Sequence, residues 1–87
     1  MRCRLSMEAW FETGGGRVTT FAYESFSAKD RVDAEKKAKQ LAKNFRRRED
    51  RVRKIFGYKK QARVDYQLQI KRPYVFWNWA DVERNSV

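Results

Sequence analysis

Ten basic side chains fall within residues 43–63: Lys43, Arg46, Arg47, Arg48, Arg51, Arg53, Lys54, Lys59, Lys60 and Arg63. Two acids, Glu49 and Asp50, share the segment, so it carries +8 of the chain's formal +10 and leaves the rest nearly neutral. Lys36 and Lys39 extend the run upstream. The chemistry open to such a cluster is phosphate binding. Each Lys or Arg that neutralises a phosphate releases a counterion, and the contacts add along a nucleic-acid backbone. Arginine also presents a planar fork that matches phosphate oxygens or a guanine edge. The competing reading is a solvated helix face with internal pairs such as Glu49–Arg53. A face of that kind mixes its signs more evenly than this one does.

Aromatic side chains form a second group. Tyr74, Phe76, Trp77 and Trp79 crowd the C-terminal tail, where they either stack on unpaired bases or close one end of the core. A chain this short of aliphatic residues favours the core role. Trp10 stands apart, because it alternates in phase with Arg4, Glu8 and Glu12. It is therefore expected either on an exposed sheet surface, available to bases or a partner, or beneath the tail. Arg63, Gln67, Gln69 and Lys71 make a polar row on one side of a strand, a weaker candidate for reading base edges.

Catalytic chemistry finds little to work with. The chain has no histidine, the one side chain whose ordinary pKa suits proton transfer near neutrality. Glu8, Glu12 and Glu24 come near one another only if a hairpin brings them together, and without further ligands they read as surface charges. No nucleophile–base pair is visible, so no catalytic residue, metal or cofactor is expected. Gly14, Gly15 and Gly16 lack the spacing and the following Lys-Ser or Lys-Thr of a phosphate-binding loop. Cys3 is the lone cysteine. It cannot form an internal disulfide, and its apolar strand neighbours suggest a buried thiol.

The elements that must position these groups follow from periodicity. Residues 3–13 alternate Cys3, Leu5, Met7, Ala9 and Phe11 with polar neighbours, the pattern of a half-buried strand. The glycines then supply a tight reversal, and residues 17–26 read as the second strand of a hairpin. Ser27 is positioned to cap a helix, with Asp30 in its first turn. Ala34, Ala38, Leu41, Ala42 and Phe45 recur on one helical face, opposite Lys36, Lys39, Lys43 and Arg47. After the charged run 46–50, Val52, Ile55 and Phe56 resume the stripe in phase. This favours one helix over 28–56, stopped at Gly57, over a separate strand at 51–56. Residues 62–71 alternate cleanly as a strand, with Ala62, Val64, Tyr66, Leu68 and Ile70 on one side. Pro73 ends or edges the pairing. The tail then forms a short fourth strand or, through Asn78 and Asp81, a terminal helical turn. Its last residues are expected to fray.

These elements predict one α+β domain over 1–87, of order β-β-α-β. An antiparallel sheet of three or four strands would carry one long helix on one face. No stretch reaches the length of a membrane span, no signal peptide opens the chain, and the core claims the apolar face that a membrane surface would need. A cytoplasmic setting is the default.

The stretch Phe26-Ser27-Ala28-Lys29-Asp30-Arg31-Val32-Asp33-Ala34-Glu35-Lys36-Lys37-Ala38 follows a hairpin and precedes a strand. In this layout, over roughly residues 3–71, the chain resembles small phage and mobile-element accessory proteins of strand-strand-helix-strand type, some anti-CRISPR proteins among them. It departs from DNA-mimicking anti-CRISPRs in being basic. The resemblance implies binding to a host nucleoprotein complex in the host cytoplasm, with access to target DNA blocked, and it assigns no residue a role. The double-stranded-RNA-binding domain opens with a helix, and the RNA recognition motif carries a glycine-aromatic signature. Neither fits this chain.

The expected function is therefore non-enzymatic nucleic-acid binding through the basic helix and the turn after it. Trp10, Trp77 and Trp79 are candidates for stacking or partner contact. The alternative is an inhibitor or adaptor that engages a nucleic-acid-bound protein complex. DNA versus RNA, strandedness and oligomeric state stay open, since long basic helices also pair with each other.

Overall fold

The two-residue loop Gly14–Gly15 folds β1 (Arg2–Thr13) back on β2 (Gly16–Ser27), in unbroken antiparallel register from Thr13↔Gly16 to Arg2↔Ser27. Gly16 sits at φ +133°, where an L side chain is disfavoured. A helix, α1 (Arg31–Ile55), then crosses to β3 (Arg63–Lys71), which pairs with the other side of β1, and β4 (Trp79–Ser86) adds to β3. The result is an antiparallel four-stranded sheet of order β2-β1-β3-β4 with one helix. These coordinates come from a computed structural model, which describes residues 1–57, 63–71 and 79–87. Lys59, Lys60, Ala62, Pro73, Tyr74, Phe76, Trp77 and Asn78, all weighed above, lie outside the described residues.

The core lies between the helix and the two central strands. Cys3, Leu5, Met7 and Ala9 of β1 and Val64, Tyr66 and Leu68 of β3 face Ala34, Ala38, Ala42 and Phe45 of α1, all buried. Small alanines let the helix backbone settle close to the sheet, and Phe45 fills the space further along. In such a dry layer a Leu→Ala truncation costs about 2–5 kcal/mol. Among the described residues no second layer packs on the sheet's other face, which antiparallel sheets tolerate.

Three expectations about the helix and tail need correction. Asp30, rather than Ser27, is the N-cap. Its Oδ1 accepts from the Asp33 N–H at 2.8 Å, and Asp33 Oδ2 accepts from the Lys29 N–H at 2.9 Å. This reciprocal pair satisfies two amide donors at once. The inward stripe does not resume at Val52, Ile55 and Phe56, which are exposed; Glu49 and Arg53 are buried instead. Val52 and Arg53 are successive residues, about 100° apart around the helix, and the last turns point Arg53 inward, at 1% exposed against 42% for Val52.

The helix ends as a Schellman-type turn. Gly57 adopts φ +80° and its N–H donates to the Lys54 carbonyl at 3.0 Å. The segment 51–55 is thus helix, not strand. Finally, the C-terminus is neither a helical turn nor frayed. Val87 exchanges both backbone hydrogen bonds with Val64, at 2.9 and 3.4 Å, and Ser86 Oγ donates to Asp65.

Candidate nucleic-acid interface

Lys36, Lys39, Lys43, Arg47, Arg51 and Lys54 are all exposed on α1. At 3.6 residues per turn they fall within roughly 60° of one line along the helix, on the side away from the buried stripe. From Lys36 to Lys54 the row is about 27 Å long at 1.5 Å per residue. Three acids of the helix are held by cations outside the row, although Asp50 itself lies on the row's side of the helix. Arg31 pairs with Glu35 at 3.2 Å, Lys37 with Asp33 at 3.2 Å, and Asp50 with Arg46 at 4.0 Å and Arg53 at 3.4 Å. None of those ion pairs takes a member of the row. Two ends of the helix are electrostatically settled as well. The Lys29 N–H and then the Lys37 ammonium hold the Asp33 carboxyl below the usual carboxylate range, and Arg53 and Lys54 lie in the last turn.

The structure divides the cluster read from the sequence. Arg48 is exposed beside the row, its guanidinium 5.3 Å from the Phe45 ring centre. Arg46 is half-buried on the flank, tied to Asp50. Arg53 is only 1% exposed, so it cannot reach a phosphate and leaves the candidate set. Its inward turn follows from the helix phase, in which 45, 49 and 53 continue the line of 34, 38 and 42. Arg63 is not part of the helix surface at all. It lies on the open face of the sheet, opposite Trp10.

That open face forms a second polar and aromatic surface. Trp10 is half-buried there, with the Arg17 guanidinium 4.1 Å and the Arg63 guanidinium 5.5 Å from its ring centre. Arg4 sits 4.4 Å from the Trp79 ring centre and donates through Nε to Gln69. Trp10 therefore belongs to the open sheet surface, with cations already over its ring. Phe21 and Tyr23 of β2 share the face and are 62% and 77% exposed. They border a shallow groove of about 170 Å³ floored by Ser6 and Glu8, with Gln67 and Arg84 opposite.

Sequence reasoning named neither Phe21 nor Tyr23. The signal was present: closing the hairpin on Gly14–Gly15 sets Phe21 opposite Glu8 and Tyr23 opposite Ser6, on the polar side of β1. The same register separates the carboxylates. Glu24 lies opposite Leu5, on the other side of the sheet from Glu8 and Glu12, so the three do not form one cluster. Cys3 is buried, and burial pushes its thiol pKa upward, which makes a reactive thiolate unfavourable. Among the described residues no helix is long and apolar enough to cross a membrane.

Comparison of the chain with protein-family models, with curated proteins and with solved structures finds no match. Function must therefore be argued from the chain's own geometry.

Proposed function

We propose that this chain is a non-enzymatic nucleic-acid-binding module that lays helix α1 along a phosphate backbone. The observation that carries the reading is the row Lys36, Lys39, Lys43, Arg47, Arg51 and Lys54, exposed on one side of a 25-residue helix. A rigid helix presents these cations without ordering cost to the backbone, and each phosphate contact gains the entropy of a released counterion. Contacts of this kind position the protein and carry no sequence information. Binding is thus expected to be tolerant of sequence and steep in salt. If all six cations engage duplex DNA, log K falls with log salt at a slope of about −5. Fluorescence anisotropy against single- and double-stranded DNA and RNA, each at several salt concentrations, tests this. A slope near zero on every form would overturn it.

A second reading is favoured by Phe21 and Tyr23, whose exposure on the open face suits a protein contact better than a solvated surface. In that reading the chain is an inhibitor or adaptor docking on a nucleic-acid-bound protein complex. A stoichiometric complex with one protein that survives nuclease treatment would support it, and a complex that vanishes with nuclease would count against it.

A further inference from the structure

The two edges of the sheet are built differently. On the β4 side the β3–β4 register slips between Leu68 and Gln69, and β4 carries Asp81, Glu83 and Arg84. Bulges and charges of this kind discourage further strand pairing. The β2 side has no register slip and fewer charges for its length. Its twelve residues run in unbroken register, contain no proline, and include only two charges, Arg17 and Glu24. The helix packs on β1 and β3, so it leaves β2 thinly covered, with Val18 42% exposed on the helix side.

Which backbone groups face outward on β2 follows from the hairpin. A two-residue loop closes on a hydrogen-bonded pair, here Thr13↔Gly16, and such pairs recur at every second residue. The Ala28 N–H donates to the Met1 carbonyl at 3.0 Å, which keeps the same alternation at the far end. The even-numbered residues of β2 therefore bond to β1. Arg17, Thr19, Phe21, Tyr23 and Ser25 direct their N–H and C=O groups to the open edge. Among the described residues no hydrogen bond reaches those groups; the edge is first occupied at Ser27, whose carbonyl accepts from Lys37 Nζ at 2.9 Å.

We propose that β2 is a self-association edge, pairing antiparallel with β2 of a second copy of this chain about a two-fold axis at Phe21. The outward set is symmetric about that residue, with two outward residues on each side. Pairing then sets Phe21 against its own mate, Thr19 against Tyr23, and Arg17 against Ser25, so no like charges meet. Exposed donors and acceptors at every second residue recognise another extended strand and little else. An isologous contact needs only this one self-complementary surface. Phe21 and Tyr23 stand on the open face, so pairing covers only the ring flanks that touch the mate, roughly 200–300 Å² over the four rings. Val18 and the two backbone edges add to this, giving a contact at the small end of specific interfaces. The axis is perpendicular to the sheet, so both helices lie on one face of a continuous eight-stranded sheet. They are separated by four strand spacings, about 19 Å. The assembly closes as a dimer, because the β4 edges remain blocked.

Sedimentation equilibrium of the full chain without nucleic acid tests the proposal and does not depend on the nucleic-acid reading. The expected mass is about 21 kDa, twice the 10.5 kDa of one chain. Raising salt is expected to strengthen the dimer, because it screens the repulsion between two +10 chains, whereas phosphate binding weakens with salt. Thr19→Pro removes one outward N–H and no β1 bond, and is expected to return the mass to that of a monomer with an unchanged circular dichroism spectrum. Phe21→Lys provides the same test without touching the backbone, by setting two ammonium groups against each other at the axis. A monomer at every concentration and salt would overturn the proposal, as would a dimer that both variants keep. An extended peptide of another protein binding the edge in preference to self-pairing would also overturn it.

Discussion

Arg51 and Arg53 are two residues apart and chemically identical, yet the structure assigns them opposite work. Arg51 is exposed in the cationic row, whereas Arg53 is 1% exposed and 3.4 Å from Asp50. Consider the double variant Arg47→Gln, Arg51→Gln beside the single variant Arg53→Ala. On duplex DNA the first removes two of six phosphate contacts. At about 0.9 per contact, its salt slope falls from about −5.4 to about −3.6. Over a fourfold rise in salt the wild type then loses roughly 2,000-fold in affinity and the variant roughly 150-fold. Its stability should hardly move, since both side chains are solvated. Arg53→Ala should do the reverse. It leaves the Asp50 carboxylate, partly exposed and still near Arg46 at 4.0 Å, without its buried partner, and it empties a side-chain volume. Partial exposure discounts the full cost of breaking a buried pair, leaving about 2–4 kcal/mol. For a domain of this size that lowers Tm by about 8 °C or more. Anisotropy titrations below the lower Tm, with thermal melts by circular dichroism, read both quantities. An Arg53→Ala protein that keeps its Tm and flattens the salt slope would refute the division of the cluster.

Other outcomes follow from the core and the helix start. Leu68→Ala, at a fully buried position of β3, should cost about 2–5 kcal/mol in urea denaturation, with the salt slope of the remaining folded protein unchanged. The Asp33 carboxyl is held below its ordinary range, first by the Lys29 N–H and then by Lys37. Its stabilising effect is therefore present above the unfolded carboxylate pKa and lost as pH falls through the lower folded value. Asp33→Asn should flatten that acid limb, measured as helix amide shifts against pH; an unchanged limb would show that Asp33 is not responsible. Burial raises the Cys3 thiol, so a disulfide reagent should modify it slowly in the native protein and quickly in urea. Because the unfolded thiol ionises first, stability from this group should fall as pH rises above the unfolded thiol value. Fast native modification would contradict the burial.

Period alone was enough to read much of this chain. Strict alternation in residues 3–13 and 62–71 and the glycine reversal placed the hairpin and β3. The spacing of Ala34, Ala38, Ala42 and Phe45 placed the helix and its lysine-rich outer side. Local pattern carries such information because a strand or helix repeats its geometry whatever it packs against. Where two residues offered the same local chemistry, pattern could not choose. Ser27 and Asp30 both suit an N-cap, and the choice fell to Asp30 because Asp33 answers it across the first turn.

What only the tertiary structure decided are matters of where surfaces end. Val52 and Phe56 keep the helical phase, yet they stay exposed while Arg53, one residue from Val52, turns inward. Phe21 and Tyr23 look like core residues by type, yet hairpin register places them on the polar side of β1, on a sheet face that the described residues leave open. Residues Trp79–Ser86 pair as a strand because β3 offered them a free edge. Periodicity states which side chains share a face. The extent of the neighbouring element decides whether that face meets protein or solvent, and that extent is set by strand order and crossing.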